Sequence, residues 1–199
     1  MNISPERMKK LYELQKYINY KFNDISLLNN SLAHSSYINE NKKGLYTSNE
    51  RLEFLGDAII DLIVSEYLYK RFPELPEGEL TKIRSSIVCE PSLAFAARKI
   101  NLGAYMLLGK GEDITGGRDR DSLLADAFEA LTAAIYLDGG FNKAVSFLIG
   151  NFEQEVIYAI SKGNLFIDYK TELQEFLQKK YKSKVEYRVE KEDGPDHNK

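Results

Sequence analysis

A mainly α-helical protein is predicted: an all-α domain with a short α+β piece behind it. Three observations carry this. Residues 49–64 (NERLEFLGDAIIDLIV) put Leu52, Leu55, Ile59, Leu62 and Ile63 at helical spacing. Residues 122–140 (SLLADAFEALTAAIYLDGG) do the same with Leu123, Leu124, Phe128, Leu131 and Ile135, and close on a Gly-Gly pair. Alternation of the kind a strand shows is met late, at residues 184–190 (KVEYRVE).

Composition narrows the function classes. With 199 residues the chain can hold one good-sized domain and a small module. No apolar run reaches the roughly 18 residues of a membrane span, so no membrane partner is expected. The opening MNISPERMKK lacks the apolar core of a secretory signal. The single cysteine, Cys89, cannot form an internal disulfide and fits a reducing cytoplasmic setting. One Cys and two His cannot build a finger-type zinc site. Any metal would be held by oxygen ligands, which suits Mg²⁺, or Mn²⁺. The net charge of −3 argues mildly against a nucleic-acid binder with a broadly basic face.

Taken in order, Ser4-Pro5-Glu6 starts a helix with a cap, a proline at the first position and an acid in the first turn; it should run to about Asn19. Its core residues would be Met8, Leu11, Tyr12 and Ile18. Asp24 can cap a second helix, from Ile25 to about Ala33. His34, at its end, reads either as a general base or, more simply, as a structural histidine. Residues 38–48 are polar and contain glycine, which predicts a loop. Ser48 can cap a long helix to about Phe72, apolar nearly all round beyond Asp57 and therefore buried. Phe54 fits either the core or an interface. Phe72-Pro73 ends that helix, and Glu77-Gly78-Glu79 opens another to about Val88. Lys82 and Arg84 on it are phosphate contacts or plain exposed residues. Pro91 starts a helix from Ser92 to about Ile100, built on Leu93, Phe95 and Ala97. Residues 108–120 (LGKGEDITGGRDR) form a flexible Gly-rich loop, not a nucleotide P-loop, because no G-x-x-x-x-G-K-[ST] can be written there. Lys110, Arg118 and Arg120 in it would touch phosphates or merely decorate a connector. Asp121 or Ser122 caps the helix that follows. Residues 141–150 and 152–161 read as two helices separated by Gly150-Asn151. A linker at 162–167 then leads to an amphipathic helix at 169–181 carrying Leu173, Phe176 and Leu177.

The acids are where the chemistry lies. Glu50, Glu53 and Asp57 share one face of the long helix, at i, i+3 and i+7. Asp126 and Glu129 share a face of the other, at i and i+3, flanked by small Ala130 and Ala133. An acid in an apolar helix is costly unless paired or metal-bound, and clustered carboxylates resist ionising together. A single such patch is most simply a solvated face. Two patches on two apolar helices could face one another and enclose a cation between Glu53, Asp57, Asp126 and Glu129. Asp61 falls near the same face, one turn beyond Asp57.

The run Asn-Glu-Arg-Leu-Glu-Phe-Leu-Gly-Asp at residues 49–57 resembles the signature of ribonuclease III, the endonuclease of double-stranded RNA. The segment L-A-D-A-F-E-A-L at residues 124–131 is similar to that family's second acidic motif, and Glu77-Gly78-Glu79 to a further element. The His-x-Ser-Tyr segment at 34–37 and the Gly-rich segment before Asp121 are similar as well. The stretches D-Y-K-T-E-L-Q-E-F-L-Q-K and E-D-G-P-D-H-N-K look like the opening helix and first turn of a double-stranded RNA-binding domain. The resemblance implies a catalytic domain over residues 1–161, a linker over 162–167, and at 168–199 the first part of the binding domain. The later strands and basic helix of that domain are not among these residues, so RNA affinity should come mainly from the nuclease domain.

The resemblance further implies hydrolysis of a backbone phosphodiester by a metal-activated water, with Mg²⁺ or Mn²⁺ as cofactor and structured precursors such as rRNA and mRNA as substrates. It gives Asp57 and Glu129 catalytic roles, Glu53, Asp126 and Glu129 as metal ligands, and Glu50 and Glu77 places beside the substrate. The pattern requires no acid at Asp61. The family also implies a homodimer in which the aromatic matching Phe54 packs across the interface. Two other classes share some of these features: a non-cleaving RNA-binding relative, against which the retention of all six acids argues, and an unrelated helical hydrolase of small phosphate esters.

Overall fold

The computed structural model describes residues 3–41 and 47–162, with the backbone alone over 153–162, and residues 176, 177, 180 and 181. The chain divides into two compact units, Met1–Phe166 and Ile167–Lys199. The 162–167 linker beyond Lys162 and the strand at 184–190 lie outside the described residues. Of the helix expected at 169–181, residues 176, 177, 180 and 181 are described, and they are helical.

Among the described residues of the first unit there is no β-strand, and helices follow one another with short connections. They are α1 (Pro5–Tyr17), α2 (Ile25–Ser31), α3 (Ser35–Glu40), α4 (Glu50–Arg71), α5 (Glu77–Val88), α6 (Glu90–Lys99), α7 (Lys110–Ile114), α8 (Asp121–Gly139) and α9 (Phe141–Lys162). The all-α expectation holds here. The organising element is α8. Eleven of its residues are buried, from Leu123 to Ile135. Helices α4, α6, α9 and α2 all pack on it. A helix surrounded in this way has few positions for charge, which is why its two half-buried acids are informative.

Local chemistry explains most of the boundaries. Ser4 caps α1 by accepting the Arg7 N–H at 3.2 Å, and Asp24 caps α2 by accepting the Ser26 N–H at 2.9 Å. Leu11, Leu14 and Ile18 carry the buried side of α1, whereas Tyr12, expected in the core, is exposed. The C-terminal end of α8 is clasped by Asp138. Its carboxylate accepts from the Tyr20 hydroxyl at 2.7 Å and from the Asn23 and Asp24 N–H groups at 2.9 and 2.7 Å.

Several expectations are corrected. Helix α3 stands partly where a loop is expected at 38–48, because His34 supplies a cap from its ring; residues 42–46 are outside the described set. Asn49, not Ser48, occupies the cap position of α4, and Ser48 donates to the Glu50 carboxylate at 2.9 Å. Helix α4 is not buried all round beyond Asp57: Ala58, Leu62 and Tyr69 are exposed, because only one side of it meets α8 and α5. Phe54 is 80% exposed, so it is not a core residue of this chain. Phe95 of α6 is also exposed.

Residues 141–162 form one helix, not two, because a helical Gly costs only about 1 kcal/mol while Phe147, Leu148 and Phe152 are all buried from the same helix. The stretch at 108–120 is not an open loop. It holds α7 and a 3₁₀ turn at Gly117–Asp119, fastened by Arg118, which donates to the Gly103 and Met106 carbonyls, each at 2.9 Å, and pairs with Asp113 at 2.7 Å.

Candidate active site

The site is set by how closely α4 and α8 approach. A Cβ built on Gly56 would overlap the main-chain carbonyl of Glu129, so the two backbones touch at that crossing. Glu53 and Asp57 flank Gly56 on α4, at three residues before and one after. Asp126 lies three residues before Glu129 on α8. Since a helical turn rises about 5.4 Å, all four acids start within one turn of the crossing. Ala130 and Ala133, both fully buried, keep the neighbouring turns of α8 narrow.

The electrostatics register this crowding. Burial first, then the charges of Asp57, Asp126, Glu53 and Asp61, push Glu129 up from 4.5 to about 8. Burial raises Glu53 above the usual carboxylate range, with Asp126, Glu50 and Asp57 adding to it. Burial raises Asp126 as well, with the Glu90 charge acting in the same sense and His34 in the opposite one. Three carboxyls held against ionisation by burial and by neighbouring acids form a site that favours added positive charge.

The donors fit a hard divalent cation, because every one is a carboxylate oxygen and their shared repulsion is what a cation relieves. They do not close into the cage expected from the helix faces. Among the described residues, no three acidic, histidine or cysteine side chains converge tightly enough to enclose an ion in this conformation. Asp57 is exposed while Glu53, Asp126 and Glu129 are half-buried, so the cluster opens toward solvent on the Asp57 side.

Glu50 is exposed at the start of α4 and acts on Glu53 through its charge. Glu77 is not brought to the crossing. It is exposed, accepts from the Thr81 hydroxyl at 2.9 Å, and borders an apolar groove of about 420 Å³ between α4 and α5, with Leu62, Tyr69 and Leu80. Arg118 and Arg120 are committed inside the α7 segment, Arg120 to Glu112 at 2.6 Å, which removes them as ready phosphate contacts. Lys110 remains exposed. Two acids outside the sequence-predicted set, Asp61 and Glu90, also act on the cluster. Asp61 was visible one turn beyond Asp57. Glu90 looks like any first-turn acid until α6 is packed on α8.

Comparison with known proteins identifies the family. Residues 24–155 match the family described as ribonuclease-III-like. The chain is 54% identical to ribonuclease 3 of Caldanaerobacter subterraneus over 186 residues, 94% of this chain and 81% of that one. It is 48% identical to ribonuclease 3 of Borreliella burgdorferi over 195 residues, 98% of this chain and 78% of that one. The crystal structure of the nuclease domain of Campylobacter jejuni ribonuclease III superposes with a TM-score of 0.68 at 40% identity, over 74% of this chain and 97% of that domain. A second structure of that domain, with a TM-score of 0.67 at 40% identity over 72% of this chain and 96% of that one, is described for structural flexibility in a region involved in dimer formation.

Proposed function

We propose, from the premise that this chain belongs to the ribonuclease III family and is an endoribonuclease, that it hydrolyses backbone phosphodiesters of double-stranded RNA at the α4–α8 crossing, with a divalent cation. The observation that carries this is the contact of Gly56 with the Glu129 main chain, which gathers Glu53, Asp57, Asp126 and Glu129 within one turn. Glu53, Asp126 and Glu129 are the cation ligands in this reading, and Asp57 and Glu129 the catalytic pair. Mg²⁺, or Mn²⁺, when bound, supplies a water of lowered pKa and offsets charge developing at phosphorus.

The residues themselves do the rest. Without a cation Glu129 is held up at about 8, so a cation that binds near neutral pH displaces a proton from its carboxyl. Exposed Asp57 is the acid of the four that incoming RNA meets first. Glu50, at the open end of α4, is placed to order the approaching strand through its water shell. A-form RNA is read by shape, phosphates and 2′-hydroxyls, so little sequence preference is expected, and structured precursors such as rRNA and mRNA are suitable substrates.

The active form in this reading is a homodimer. Phe54, Leu62 and Tyr69 are 80%, 57% and 74% exposed on α4, and the apolar groove beside Glu77 continues that face. Exposed aromatics in such a contiguous patch mark an interface. Glu77 then reaches substrate only in the assembled pair. Among the described residues no helix is long and apolar enough to cross a membrane, and cytoplasmic action is the proposed setting. Duplex affinity is proposed to come mainly from residues 1–161.

The test is a blunt-ended RNA duplex incubated with Mg²⁺, with Ca²⁺ and with chelator, sized on a gel, beside a nucleotide and a simple phosphate ester. Discrete duplex cleavage with Mg²⁺ alone is expected. Turnover of the small esters with intact duplex would instead mark a phosphoesterase.

A further inference from the structure

We propose that the cleft between α1, α3 and residues 104–107 binds a phosphate group, with Arg7 and Lys10 as its cationic contacts. None of the acids at the α4–α8 crossing lines this cleft, and the inference does not depend on their role.

The cleft has a volume of about 240 Å³. Pockets for small molecules run from roughly 300 to 1,000 Å³, so a single phosphate group with water suits it better than a whole nucleotide. Three of the residues lining it are cations, Arg7, Lys10 and Arg118, and one, Glu6, is an acid. The cations are not equivalent. Arg118 pairs with Asp113 and donates to the Gly103 and Met106 carbonyls, so it builds the wall and is not a contact. Arg7 and Lys10 stand three residues apart on α1 and share one face.

Arg7 is fixed in place. Its Nε donates to the Asn29 side-chain oxygen at 2.8 Å, and its Nη1 to the Tyr105 carbonyl at 2.5 Å. Asn29 is completely buried, which makes it a rigid anchor. Both acceptors are neutral, so these two bonds set the position of the charge without cancelling it. A cation fixed before its anion arrives loses little freedom on binding. Lys10 is exposed and supplies a second, mobile charge. The Ser4 oxygen accepts the Arg7 N–H at 3.2 Å, which leaves the Ser4 hydroxyl hydrogen to donate. A guanidinium, an ammonium and a hydroxyl are donors that phosphate oxygens take.

The wall of the cleft is joined to the helix that carries Glu50 and Glu53. Leu107 donates to the Leu32 carbonyl at 2.8 Å and accepts the His34 N–H at 3.1 Å, and Ala33 between them accepts the Asn49 N–H at 2.8 Å. Asn49 is the residue from which α4 starts. A phosphate here has two sources: the backbone of an RNA duplex, or a free phosphate ion.

Two assays without cleavage separate the sources. Inorganic phosphate is titrated in chelator and followed by phosphorus NMR, and duplex RNA is titrated in Ca²⁺ over several salt concentrations. Both use the full chain as wild type, Lys10→Ala, Lys10→Arg, Glu6→Gln and Lys9→Ala, each with a thermal melt. Lys9 is exposed on the same helix but does not line the cleft, so it controls for general charge. Lys10→Ala leaves the Arg7 anchors in place and should weaken phosphate by about tenfold, with Lys10→Arg recovering most of the loss. Glu6→Gln removes the opposing acid and should tighten phosphate by about twofold to fivefold, a gain that misfolding cannot produce. If the ligand is RNA, Lys10→Ala should also lower the slope of log affinity against log salt by about one. Phosphate uptake that needs Lys10, with an unchanged RNA slope, assigns the cleft to a free phosphate ion. A slope that falls for Lys10→Ala and not for Lys9→Ala assigns it to the RNA backbone. Equal behaviour of Lys9→Ala and Lys10→Ala in both assays overturns the inference.

Discussion

Gly56 of α4 rests on the main chain of Glu129 of α8, with no room at residue 56 for even a methyl group. That contact is the shortest path from sequence to chemistry in this protein. It brings two amphipathic patterns, far apart in the chain, to a distance at which their acids act on one another. A larger residue at 56 would hold the helices apart and leave two ordinary acidic faces.

Gly56→Ala should therefore destabilise the fold by about 1–3 kcal/mol through overpacking, despite the helix propensity that Ala adds. Cleavage should fall further than stability, because the carboxylates separate. Gly78, on α5, has nothing within 4 Å of a built Cβ. Gly78→Ala should be neutral or stabilising by up to about 1 kcal/mol. Urea denaturation of the pair, with cleavage assayed on the folded fraction, compares them; equal effects would discredit the close crossing.

Glu129 makes stability depend on pH in the absence of divalent cations. Its folded carboxyl titrates near 8, above the ordinary 4.5, so the folded state favours the protonated form. The stability this group contributes is complete below about pH 4.5 and is lost as pH rises through about 8. Glu129→Gln should flatten that decline in chelator and raise the melting temperature at pH 8, while abolishing cleavage. Added Mg²⁺ should stabilise the wild type and not the variant. A variant that melts like wild type across this range in chelator would show that Glu129 is not crowded.

Phe54→Ala separates the fold from assembly. Since the ring is 80% exposed in the single chain, its removal should change chain stability by less than about 0.5 kcal/mol, as for other surface substitutions. Self-association should weaken by tenfold or more if a second copy covers the ring, about 1.4 kcal/mol by the affinity relation. Sedimentation velocity over a concentration series reads this directly. A monomeric wild type at tens of micromolar would remove the proposed dimer.

Arg118→Ala and Lys110→Ala test whether the 108–120 segment is built for RNA or for itself. Arg118 holds two carbonyls and Asp113, so truncation should cost about 1–3 kcal/mol by stranding buried acceptors. Duplex affinity of the folded protein, measured in Ca²⁺, should be little changed. Lys110→Ala should leave stability alone and reduce the salt slope of binding by about one if the lysine meets a phosphate.

The helices α1, α2, α4, α5, α6 and α8, the all-α class of the first unit and the two acidic faces could be read from the sequence alone. These depend on local terms: period, caps such as Ser4 and Asp24, and breakers such as Pro73 and the Gly139-Gly140 pair. Tertiary structure decided what local terms cannot reach. Gly150 looked like a break, but buried Phe147, Leu148 and Phe152 outweigh the cost of a helical glycine. Arg118 looked like a phosphate contact, but the carbonyls it bonds come from residues 103 and 106, and their exposure could not be known beforehand. Phe54 fits core or interface equally well by sequence, and its 80% exposure on α4 removes it from the core of this chain. Glu90 acts on Asp126 only because α6 packs on the helix that carries it. Periodicity places a residue on a face; only the packing of a second helix decides whether that face meets solvent, core or another charge.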